Sequence, residues 1–123
     1  MYTNLTLLIT RVVFSLSMLT HGYPKLIKLF SEKPSFADPI GIGELPTLVL
    51  AVFAEFIAPL FIIVGYKTKI STILPIATMF VAAFIVHYDD PFKNKELAIL
   101  YLVGFIIILL MGPGKYSIDK KQF

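Results

Sequence analysis

The sequence predicts an all-α fold, an integral membrane four-helix bundle, and three observations lead there. Apolar residues make up 57% of the 123 positions and charged ones only 15%, with a mean hydropathy of +0.82, outside the usual composition of a water-soluble domain. Prolines, glycines and lysine clusters cut the apolar sequence into four stretches. Each is near the roughly 20 residues that a helix rising about 1.5 Å per residue needs to cross a bilayer. Four such spans with short connections fill residues 1–123 as a single membrane domain. No stretch shows the two-residue alternation of a membrane β-strand.

The first helix is expected over 5–23, ending or kinking at Pro24, which cannot donate to the helical ladder. Met1-Tyr2-Thr3-Asn4 lacks a basic n-region and no small-residue cleavage site follows, so this stretch reads as a retained helix, not a signal peptide. From Lys25 to Glu44 the chain is too polar for hydrocarbon and reads as a loop, part of it a short interfacial helix. Pro46 suits the first turn of a second helix over 46–64, since its missing N–H would be unpaired there anyway. Gly65-Tyr66-Lys67-Thr68-Lys69 is a tight basic connection to a third helix over 70–87. A polar turn, His87 to Lys95, leads to the fourth helix over 96–111, stopped by Gly112-Pro113-Gly114. That tripeptide lacks the remainder of a phosphate-binding loop.

Four spans put both termini on one side with Lys67 and Lys69. Five lysines (67, 69, 115, 120 and 121) lie there and five (25, 28, 33, 93 and 95) lie opposite, so lysine counts barely orient the chain. Most acids lie on the loop side, which favours cytoplasmic termini. The lysines flank apolar segments, as in membrane proteins, and give no reason to expect a nucleic-acid partner despite the net charge of +3. The chain has no cysteine, which excludes disulfides, thiolate metal sites and a thiol redox couple within it. The eleven phenylalanines fall mainly in the spans and read as packing or lipid-facing surface.

Ionisable groups inside a span are costly, by about 2.5–3.5 kcal/mol on insertion scales, and therefore need partners. Arg11 and Glu55 are the two deepest. Helical rise places them within a few ångströms in depth, which predicts an Arg11–Glu55 ion pair between helices one and two. Such a pair either fixes the helix register or sets a charge beside a ligand or proton path.

His21 and His87 come out at nearly equal depth near the loop end, with Lys25 one turn beyond His21, Glu96 at the start of helix four and Tyr101 deeper. These five residues are expected to line one polar pocket. A protonated His or Lys donates to a carbonyl, and a His–carboxylate pair passes protons, so a quinone head group would suit it. A water- and lipid-satisfied interfacial network is the competing reading. His21, His87, Asp89 and Glu96 are acceptable metal ligands, but no local ligand spacing supports a metal site.

Arg11; His21-Gly22-Tyr23-Pro24-Lys25-Leu26; Glu55 before Gly65-Tyr66-Lys67-Thr68-Lys69; His87; Asp90-Pro91-Phe92; Glu96; and Gly112 through Asp119 together resemble the DoxX family. The resemblance runs over nearly the whole chain, and His87 through Asp119 is its most specific part. It implies four membrane helices in a bacterial or archaeal cytoplasmic membrane. It also implies a quinone-linked or accessory oxidoreductase subunit, since the family takes its name from subunits associated with thiosulfate:quinone oxidoreductase. A relative is reported as the membrane partner of secreted redox enzymes. Where the family tends to have glycines after the acid, this chain has Ala58 and Pro59, so helix two should kink and pack differently there.

The sequence thus supports a quinone-binding membrane subunit that works with a redox protein partner, since without cysteine, flavin motif or haem ligand set the chain cannot store electrons alone. The alternative is a noncatalytic anchor or scaffold that recruits a partner or forms a homo-oligomer through its helix faces, and it predicts no ligand-sized pocket. A small transporter would require more polar residues at the midplane than Arg11 and Glu55.

Overall fold

A computed structural model describes residues 2–119 and is helical, with no strand among them. Four helices are long and apolar enough to cross a membrane: α1 (Thr3–Leu29), α2 (Glu44–Val64), α3 (Thr68–Val86) and α4 (Phe92–Met111). Lys120 and Lys121, counted above for orientation, lie outside the described residues.

Helix α1 does not stop at Pro24. It continues to Leu29, with the proline inside it, because only the bond to the Thr20 carbonyl is forfeited while the turns on either side remain intact. Its buried face is Leu7, Arg11, Ser15, Met18 and Gly22, a stripe at three- and four-residue spacing. Helix α4 begins four residues earlier than expected, with Pro91 immediately before its first residue.

Helices α2 and α3 are not regular. Each contains one π-helical turn, Phe53–Ile57 in α2 and Ala82–Val86 in α3. In α2 the cause is visible in the sequence. Pro59 has no N–H for the Glu55 carbonyl and its ring would press on it, and the wider turn just ahead relieves that contact, with Ala58 N–H bonding to the Phe53 carbonyl.

Met18, Ile62, Met79, Tyr101, Leu102, Phe105 and Ile108 form the core between the helices. Many other large apolar side chains point outward, as a surface facing lipid requires. At the end of α2, Gly65 takes φ +73° and closes a Schellman motif, with Tyr66 N–H on the Phe61 carbonyl and Gly65 N–H on that of Ile62.

The segment after α4 folds back over this end. Ile118 and Asp119 donate their N–H groups to the carbonyls of Val64 and Gly65. The Asp119 carboxylate accepts from the N–H groups of Lys67 and Thr68 and from the Thr68 hydroxyl, capping α3 from 51 residues away. Lys115 N–H bonds to the Asn4 side chain at 2.9 Å, so the segment also holds the start of α1. Asp119→Ala should therefore destabilise the protein by about 1 kcal/mol, the usual value of an N-cap, read as a lower unfolding midpoint in detergent.

Candidate functional site

Arg11 is fully buried, and its guanidinium donates to the carbonyls of Ile62 (3.1 Å), Ile63 (3.0 Å) and Tyr116. Its partners are two last-turn carbonyls of α2, where the regular helical ladder runs out, and one carbonyl of the returning segment. The expected Arg11–Glu55 pair is not formed. Arg11 stands level with Ile62 and Ile63, about two turns along α2 from Glu55, which lies against Gly22 on the same face of α1, so the two groups differ in depth by roughly 10 Å. Its Nε and the Ser15 hydroxyl, one turn apart, are buried without a hydrogen-bond partner among the described residues.

Glu55 is 2% exposed and pairs instead with Lys25, Nζ to Oε2 at 2.5 Å. Two features of the backbone set this up. The continuation of α1 through Pro24 keeps Lys25 on the same face as Gly22, one turn earlier. Gly22 in turn lies directly on the backbone of Glu55: a Cβ there would stand 2.1 Å from the Glu55 carbonyl oxygen. The helices therefore touch backbone to backbone at the π-helical turn, and the lysine reaches the acid. A charge pair in so apolar a setting is strong only because both members are satisfied.

Beside this pair lies a cavity of about 350 Å³. Its walls come from α2 (Thr47, Leu50, Ala51), α3 (Leu74, Thr78, Val81) and the first loop, which borders it from Phe36 to Ile42. Lys25 and Glu55 are the charged residues in the lining. The α2 and α3 backbones lie close together from the Phe53–Ile57 turn to Val64 and diverge toward Glu44, and the cavity fills the divergence.

The loop wall is held by its own polar groups. Asp38 accepts from the N–H groups of Ile42 and Gly43 and from the Thr47 hydroxyl, and Glu44 accepts from Phe36 N–H. The Phe36 ring lies 5.7 Å from both Lys25 Nζ and Lys28 Nζ, a cation–π contact on each.

The five residues expected in one loop-end pocket are dispersed. His21 is exposed and meets Tyr101 edge-on at 5.6 Å, while Tyr101 is buried in the core. His87 Nδ1 bonds to the Asp90 carboxylate at 2.7 Å within its own turn, and Glu96 is exposed on α4. Of the five, only Lys25 lines the cavity; His21 joins it in an adjacent shallow depression with Pro24, Ile27, Lys28 and Phe36. Among the described residues no three His, Asp or Glu side chains gather as a metal site. Nothing in the polarity of the loop stretch shows that it borders a cavity, with Phe36 half-buried against it and Ile40 and Ile42 at its exposed rim. A signal for the Glu55 site did exist, in Gly22 and Lys25 extending the Arg11–Ser15–Met18 stripe.

Four helices long and apolar enough to span, with an apolar cavity between two of them and a part-buried Lys25–Glu55 ion pair beside it, define a small integral membrane protein. The DoxX family model matches residues 6–88, about two-thirds of the chain, and the chain belongs to the DoxX family. The matched range ends just after His87, so the stretch taken above as most specific, His87 through Asp119, lies almost wholly beyond it. The chain is also similar to the inner membrane protein YqjF of Escherichia coli (strain K12), 23% identical over 119 residues, covering 92% of this chain and 88% of that protein. No solved structure matches the chain.

Proposed function

We propose that the protein is the membrane subunit of a quinone-linked or accessory redox system, with both termini in the cytoplasm, and that it binds a quinone-like molecule in the cavity between α2 and α3. The observation that carries this reading is the cavity itself. Its volume of about 350 Å³ falls within the roughly 300–1,000 Å³ of small-molecule sites, and an apolar lining with few polar groups is their usual chemistry. The residues fit such a ligand. Lys25 Nζ would donate to a ring carbonyl, Glu55 would hold Lys25 in place and exchange a proton with it, and Leu50, Leu74 and Val81 would meet the ring and its tail. A bound quinone would supply two-electron chemistry, with the electrons coming from a partner protein. The scaffold reading expects no ligand-sized cavity, so the cavity favours the first reading.

Native mass spectrometry of gently solubilised protein with decyl-benzoquinone tests it. Wild type should retain the quinone, Lys25→Ala should lose most of it, and the His21→Ala/His87→Ala double variant should keep it. Loss from the histidine variant with retention by Lys25→Ala would move the site to the loop-end histidines, and no retention by wild type would sink the reading.

A further inference from the structure

Lys25 and Glu55 bring one positive and one negative charge to the cavity, bonded to each other at 2.5 Å. Their charges cancel. The acid is the deeper of the two, 2% exposed against 29% for the lysine. Building on the ligand-binding reading above, we propose that the cavity selects electrically neutral amphiphiles whose head group offers an acceptor to Lys25, with any hydroxyl it carries donating to Glu55, and that Glu55 is the residue that excludes anionic lipids.

A neutral head group can insert its dipole into the ion pair and leave both charges satisfied. An anionic head approaching Lys25 arrives within a few ångströms of the Glu55 carboxylate and buries a net negative charge in an apolar cavity, where little solvent screens the repulsion. A cationic head meets the same difficulty with Lys25. The approach has the opposite character to the interior: Lys25 and Lys28 flank Phe36 at the loop side and attract anions, so exclusion has to come from the acid behind them. The divergence of α2 and α3 leaves space for an alkyl tail along Leu50, Leu74 and Val81.

The test compares three probes by native mass spectrometry on the full chain: monolauroylglycerol, laurate of the same acyl length in mildly alkaline buffer, and decyl-benzoquinone. Wild type should retain monolauroylglycerol about tenfold better than laurate, and Glu55→Gln, which leaves Lys25 uncompensated, should shift that ratio toward laurate by about tenfold, a change of about 1.4 kcal/mol in relative affinity. Equal retention of both lipids by wild type, or an unchanged ratio in Glu55→Gln, overturns the proposal. Thr78→Leu, which fills the cavity and leaves the charges alone, should reduce monolauroylglycerol retention; unchanged retention also overturns it, even if Glu55→Gln fails to fold. The two readings separate cleanly. Retention of monolauroylglycerol without decyl-benzoquinone removes the quinone reading and keeps the selectivity. Retention of decyl-benzoquinone with equal binding of the two lipids does the reverse, and retention of none overturns both.

Discussion

Replacing Gly22 by alanine is expected to lower the stability of the detergent-solubilised protein by about 2–4 kcal/mol, a range that extends beyond the usual cost of about 1–3 kcal/mol for overpacked sites. The added Cβ would stand 2.1 Å from the Glu55 carbonyl oxygen and 2.4 Å from its carbon, and both belong to backbone that cannot swing aside. The α1–α2 crossing has to open. Lys25, one turn further along α1, would then move away from Glu55, so the same variant should lose its bound ligand. Thermal unfolding followed by size exclusion measures the first effect, and mass spectrometry the second. A Gly22→Ala protein with wild-type stability would show that the helices do not meet at this point.

Arg11→Met keeps much of the side-chain volume and removes the donors to Ile62, Ile63 and Tyr116. Hydrogen bonds from a charged donor contribute about 1.5–3 kcal/mol each in soluble proteins, but interhelical ones in membranes average nearer 0.6, so the loss should total roughly 2–4 kcal/mol. Arg11→Lys should recover only part of it, because an ammonium cannot reproduce the planar spread of the guanidinium over three carbonyls. Unfolding by SDS in mixed micelles would measure both. Ligand retention should change little in any Arg11→Met protein that stays folded, since Arg11 does not line the cavity.

These two positions also show what could be read from the sequence. The four spans were legible because lipid imposes a single requirement, length of apolar helix, and the chain meets it four times. Arg11 and Glu55 were recognisable as buried groups needing partners, for the same reason. Their partners were not, because depth counted from an assumed helix end carries the error in that end. Helix α1 carries on through Pro24 to Leu29, which sets Lys25, and not Arg11, within reach of Glu55 at the π-helical turn of α2. The cavity needed something further, a polar loop that sets a half-buried Phe36 at the gap between two helices.

The return of residues 112–119 across the bundle also bears on how the protein is made. The cap of α3 and one carbonyl partner of Arg11 lie in a segment that follows α4, so they reach the membrane surface only after all four helices have been synthesised. Until then, the start of α3 carries exposed backbone groups, and the Arg11 bonds to Ile62 and Ile63 are polar ties at that end that do not depend on the segment. Ribosome-bound chains arrested before residue 112 should be more sensitive to protease at the 65–68 connection than chains extended past Asp119. These polar contacts act as a latch across the connection between α2 and α3.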